Sequence, residues 1–174
     1  MKPFCILLCM ILLLSGCENK LTESTSQNSS SMAETKNINN EVLNEFGLSY
    51  HQIEEKYGTP TDTGYWRGGY FYYFKNGKGC YFFGTTNESL PTEADLCQFI
   101  TLAVSDFFLD MDKEYTFEEI QSKYSFRFVE SGESFDEMDS FESVFLFKDY
   151  EIVFVTNSPE KVMSDDWLYI HKIV

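Results

Sequence analysis

The chain has 174 residues, with 28 Asp and Glu against 13 Lys and Arg, a formal net charge of −15 at pH 7. So negative a chain repels nucleic acid and anionic lipid headgroups, which argues against DNA or RNA binding and against the folded body lying flat on a membrane. Aromatic residues make up 17% of it, including 17 Phe and 11 Tyr, enough for a hydrophobic core and more than a disordered chain carries.

Residues 4–14 form an apolar run behind Lys2. The run is too short for a membrane-spanning helix, which needs about 20 apolar residues. It has the length of a secretory leader and closes on small residues, Ser15 and Gly16. The stretch Leu14-Ser15-Gly16-Cys17 resembles the lipobox of bacterial lipoproteins. That resemblance implies lipid attachment at the Cys17 sulfur, cleavage before Cys17, and a mature chain anchored in the cell membrane and facing away from the cytoplasm. The alternative is an ordinary leader, residues 1–16, with an incidental cysteine after it. Acylation contributes about 0.8 kcal/mol per buried CH₂ and stable residence takes more than one chain, a need that the diacylglyceryl group of that family meets. Loss of Lys2 with the leader makes the mature chain one unit more negative. Residues 17–37 then supply the lipidated cysteine and a run of Ser, Thr, Asn, Gln and Glu that reads as a flexible tether.

From Ile38 onward the composition changes. Ile38, Val42, Leu43 and Phe46 fall at helical spacing and predict a short amphipathic helix. A second helix is expected to start at Ser49, where Ser49 and Gln52 form a capping box and Leu48 with Ile53 a hydrophobic staple. It should end at Gly58, before Pro60. The aromatic residues 70–74, the turn Lys75-Asn76-Gly77-Lys78 and residues 80–83 predict a β-hairpin. Residues 96–104 fit either a helix or a strand; their β-branched members and the internal repeat favour a strand. The repeat begins again at Thr116, with Thr116 and Glu119 as capping box and Tyr115 with Ile120 as staple. A hairpin over residues 143–155, turning at Lys148-Asp149, and a last strand over 167–174 follow. The expected fold class is α+β: two tandem helix-plus-three-strand repeats, residues 38–105 and 106–174, forming a curved antiparallel sheet with short helices on one face.

The pattern Gly47-Leu48-Ser49-Tyr50, Ile53, Lys56-Tyr57-Gly58, Pro60, followed by the Tyr-rich hairpin, is similar to the repeat of the β-lactamase-inhibitory-protein-like superfamily, which also contains small outer-membrane-assembly lipoproteins. The likeness extends over about residues 47–174. In the second copy Lys113-Glu114 stands where the leading Gly belongs and Ser125 where the closing Gly belongs. The resemblance implies a binding module rather than an enzyme, holding another protein on the open face of its sheet and on its loops.

The residues themselves offer no catalytic constellation. Two histidines, His51 and His171, stand apart from any nucleophile–base pattern, and no phosphate-binding glycine loop or Cys-x-x-Cys spacing occurs. No cofactor or metal is expected. Gly68-Gly69 reads as a bend before an aromatic strand. Cys80 and Cys97 are either a disulfide or two buried thiols, the second being favoured because two cysteines carry no framework pattern. Two acidic groups, one around Asp106, Asp110, Asp112 and Glu114 and one over Glu130, Glu133, Asp136, Glu137, Asp139 and Glu142, read as solvated loops rather than Ca²⁺ sites, since the first lacks a glycine at the bend.

The aromatic strands are the stronger candidates for function. Alternation puts Tyr70, Tyr72 and Phe74 on one face and Phe71 and Tyr73 on the other, and Trp167 and Tyr169 alternate with Leu168 and Ile170. A sheet covered on one side needs apolar residues on one face only. Either both faces are buried or one is a binding surface. The candidate partner-binding residues are therefore Tyr70, Tyr72, Trp167 and Tyr169 with the hairpin tip Asn76 and Lys78, for an unidentified envelope or extracellular protein. A structural envelope lipoprotein without a specific ligand, and an inhibitor of a secreted enzyme, are the alternatives.

Overall fold

The computed structural model describes residues 37–84, 90–111, 114–135 and 138–173. The leader, Cys17 and the tether up to residue 36, together with Asp112, Asp136 and Glu137, lie outside the described residues. In chain order the elements are α1 (Asn40–Leu43), α2 (Tyr50–Tyr57), β1 (Asp62–Trp66), β2 (Gly69–Tyr73), β3 (Gly79–Phe82), β4 (Phe99–Ala103), α3 (Val104–Phe107), β5 (Tyr115–Thr116), α4 (Phe117–Tyr124), β6 (Arg127–Glu133), β7 (Phe141–Phe147), β8 (Tyr150–Thr156), β9 (Lys161–Val162) and β10 (Trp167–Lys172). Eight strands make one antiparallel sheet in the order β1-β2-β3-β4-β10-β8-β7-β6, and β5 with β9 makes a two-stranded ribbon.

The two longer helices begin where their side chains satisfy the free backbone donors of a first turn. Ser49 Oγ accepts from Gln52 N at 3.4 Å while Gln52 Oε1 accepts from Ser49 N at 2.9 Å. Thr116 and Glu119 repeat the exchange at 3.2 and 2.8 Å. At the far ends Gly58 has φ +83° and Ser125 has φ +59°, so the serine adopts the left-handed conformation that glycine usually supplies. The early helix is a single turn, α1, capped by the Asn39 side chain, and it buries Val42 and Leu43. Both hairpins form as expected, the second through Lys148 at φ +54°. Residues 99–103 are a strand; Leu96 makes only an isolated bridge to Ser49.

Four strands of the large sheet, not three, follow each of the eight-residue helices: β1–β4 after α2, and β6, β7, β8 and β10 after α4. The additional strands, β1 and β6, are the two edges. β6 has both faces near solvent and needs no apolar alternation, while β1 turns only Gly64 and Trp66 away from solvent, too few positions to show a period. All seven residues of β6 are exposed, and its glutamates had suggested a loop.

Helices α2 and α4 pack on one face of the sheet. Beneath them lies the main core, in which Ile53, Phe74, Tyr81, Ile100, Ile120, Phe145, Phe154 and Ile170 are fully buried. A buried carboxylate organises its first half. Glu45, 1% exposed, accepts from Lys56 Nζ at 2.7 Å, from Tyr81 Oη at 2.8 Å and from Tyr57 Oη. Burial pulls the Lys56 ammonium down, but its bonds to Glu45 and Tyr57 overcome this and hold it above its ordinary value. Asp110 does similar work at the end of α4, accepting from Lys123 at 2.7 Å, from Asn37 Nδ2 at 2.9 Å and from Tyr124. Replacing Glu45 with Ala leaves two phenols and an ammonium without their acceptor. It is expected to lower unfolding stability by about 2–3 kcal/mol, the scale of hydrogen bonds to a charged group, with Glu45→Gln losing roughly half as much; urea unfolding measures both.

Candidate functional site

The face of the sheet away from the helices carries a second apolar cluster: Val153, Val155 and Tyr169 are buried, and Trp66, Phe99, Val144 and Trp167 pack on them half-buried. The register explains which residues meet. Tyr169 stands between Thr101 of β4 and Val153 of β8, and Trp167 between Ala103 and Val155. Phe71, Phe82 and Phe99 line up across β2, β3 and β4. Phe82 and Phe99 meet edge to face at 4.9 Å, and Phe99 stacks on Tyr169 at 5.1 Å.

Trp66 reaches this cluster because the sheet curls. Between β1 and β10 lie four strand steps, about 19 Å in a flat sheet at ~4.8 Å per step. Yet the Trp66 ring lies 5.4 Å from Trp167 and 5.9 Å from Tyr169. The β1–β2 hairpin thus bends over the face that its own sheet forms. Gly64 permits a close approach inside that hairpin: a Cβ there would stand 2.4 Å from the Phe71 ring. Two shallow clefts, of about 220 and 150 Å³, share Trp66 and Phe82 as walls.

Arg67, in the turn between β1 and β2, crosses to the other half of the sheet. Its guanidinium donates to Tyr169 Oη at 2.6 Å and to Glu142 of β7, and it lies 4.6 Å from the ring centres of both Trp66 and Tyr169. Tyr169 in turn donates to Glu142 Oε2 at 3.1 Å. Burial pushes the Tyr169 phenol up to about 12, with Arg67 opposing and Glu142 reinforcing the shift.

The sequence candidates fall in different places. Trp167 is half-buried in this cluster, and Tyr169 belongs to it at 8% exposure. Tyr72 does not face the surface: it is 3% exposed in the main core, its ring 5.2 Å from Tyr50 and 5.8 Å from Phe83. Parity along β2 is the reason, since the helices cover the face that Tyr72 and Phe74 share. Tyr70 is half-buried at the margin of that same core. Asn76 and Lys78 are exposed in the β2–β3 turn, Lys78 3.9 Å from Asp106, and neither belongs to the Trp66 cluster. The residues missed in sequence are Trp66, Arg67, Phe82, Phe99 and Glu142. A Trp-Arg pair directly before Gly68-Gly69 was the available signal, a turn that displays two residue types able to stack.

Groups that carry chemistry elsewhere are otherwise engaged. Cys80 and Cys97 are free thiols rather than a disulfide, and burial pushes both thiols up, away from the reactive thiolate. His51 lies on the helix surface 3.5 Å from Glu54, and His171 lies 3.4 Å from Glu151. Asp110 and Glu114 pair with Lys123 and Lys161. Among the described residues no group of three or more His, Cys, Asp or Glu converges as a metal site would require, and no helix is long and apolar enough to cross a membrane. Searches of protein-family models, curated proteins and solved structures find no match to this chain.

The buried phenols set an alkaline limit. A free tyrosine ionises near pH 10, whereas Tyr50 and Tyr169 hold their protons to about 12. A group whose pKa rises on folding contributes stability below its unfolded value and loses it as pH climbs through the folded one. Stability should therefore fall between about pH 10 and 12, and Tyr169→Phe should make that fall shallower, as denaturant unfolding across that range would measure.

Proposed function

We propose that this protein is a lipoprotein anchored through a lipid on Cys17 outside the cytoplasm, and that its folded part is a binding module, not an enzyme, which docks another envelope or extracellular protein on its curled aromatic face. The observation that carries the reading is the cluster of Trp66, Phe99 and Trp167, half-buried beside Arg67 on the face no helix covers. Trp, Tyr and Arg are the residue types that dominate binding energy at protein interfaces, because each offers a large rigid surface with a polar handle.

The folded part is read as two tandem units, 38–105 and 106–174, each with a capped helix followed by four strands of the large sheet. Three features support that reading. The strand order is mirrored about β4 and β10. Both helices start on a capping box. Both end on a Lys-Tyr pair bound to a carboxylate from the preceding segment, Glu45 or Asp110. The likeness of residues 47–60 to the β-lactamase-inhibitory-protein-like repeat points the same way, and that of residues 14–17 to a lipobox supports the anchor.

A second reading, a structural envelope lipoprotein without a specific ligand, draws support from the burial of Tyr72 and Tyr169. The two part company in intact cells. With a photo-crosslinking residue in place of Trp66, the binding module yields one discrete adduct with an envelope or secreted protein, and Trp167→Ala removes it. The structural role yields no discrete adduct. The anchor is tested separately: fatty-acid labelling and detergent-phase partition should both be lost in Cys17→Ser.

A further inference from the structure

We propose that the tip of the β1–β2 hairpin, residues 65–70, is a flap over the aromatic face, seated there by the Trp66 ring and latched by the polar contacts of Arg67. The ladder between β2 and β3 starts at Phe71, paired with Phe82, and runs to Tyr73. The tip therefore projects past the last strand pair that ties the hairpin to the rest of the sheet. Within it Tyr65, Arg67 and Gly68 are exposed, while Trp66 reaches the aromatic face and Tyr70 the margin of the main core.

Arg67 holds this projection in place at some backbone cost. Its φ is +48°, in the left-handed region that side chains disfavour by roughly 1–2 kcal/mol. In that conformation the side chain bridges to β10 through Tyr169 and to β7 through Glu142, residues 102 and 75 positions away. The seat it enters is built in advance: Glu142 also accepts from Ser134 Oγ at 2.8 Å and from Tyr169 Oη. A charge-assisted, aromatic-lined seat for one guanidinium is what a latch needs, because it is strong when made and is released as a unit.

Release uncovers apolar surface that the closed form hides. Phe82 and Tyr169 are 7% and 8% exposed beneath the tip, beside Val153 and Val155. If a partner docks on this face, as proposed above, the latch governs how much of the face is offered; the test below needs no partner and stands or falls apart from that reading.

The chain has two tryptophans, Trp66 in the flap and Trp167 on the sheet beneath it, with rings 5.4 Å apart at 66°. Indoles that close give an exciton couplet in circular dichroism, so the closed form has its own optical signature. In the full chain, Arg67→Ala and Glu142→Gln should each speed amide exchange at residues 65–70 by about ten- to a hundredfold, the equivalent of losing one hydrogen bond to a charged group. Acrylamide quenching should rise and the couplet weaken with it, while exchange in β8 and β10 stays as in the parent. Unchanged exchange at residues 65–70 in both variants would overturn the latch. So would an equal acceleration in β8 and β10, which would make the tip an inseparable part of the sheet.

Discussion

The pairing of β4 with β10 is the contact on which the rest of the structure depends. Five residue pairs, from Trp167 with Ala103 to His171 with Phe99, join the first four strands of the sheet to the last four. These two strands carry apolar side chains on both faces. Ile100, Leu102, Leu168 and Ile170 enter the main core, and Phe99, Trp167 and Tyr169 enter the aromatic cluster. Full burial of such side chains contributes about 1.5–3 kcal/mol each. A half-sheet alone would leave one long side of its central strand unpaired and its aromatic face open.

From that seam the sheet runs outward to two exposed edges. An exposed edge invites pairing with other chains. β6 counters this with a bulge between Phe128 and Glu130 and with glutamates along its length, in a chain whose net negative charge already repels copies of itself. β1 meets the same problem differently. Its end curls over the sheet and is fastened there by Arg67. One local device thus serves two ends: it turns an edge inward, and it builds the aromatic surface that is the best candidate for recognition.

Much of the fold was legible because its signals are local. The two capping boxes placed both eight-residue helices, Asn76-Gly77 and Lys148-Asp149 placed both hairpins, and β-branched residues decided correctly for a strand at residues 99–103. β6 escaped because it exposes both faces and so leaves no alternation, and β1 because only Gly64 and Trp66 of its five residues turn away from solvent. The site was only half legible. Alternation said that both faces of β2 and β10 are aromatic; it could not say which face the helices cover, so Tyr72 was grouped with Trp167 although the two lie on opposite sides of the sheet. Trp66, Arg67 and Glu142 are brought together by the curl of the whole sheet, a property of the assembled strands that no short window of sequence contains.

The seam is tested most directly by native-state hydrogen exchange at increasing urea, read residue by residue. If β4 and β10 hold one continuous sheet together, their amides are among the slowest in the protein, they exchange only through global unfolding, and both halves of the chain lose protection at one urea concentration. Loss of protection in residues 38–103 at a different concentration from residues 114–173 would mean that each half stands alone, and would contradict the account.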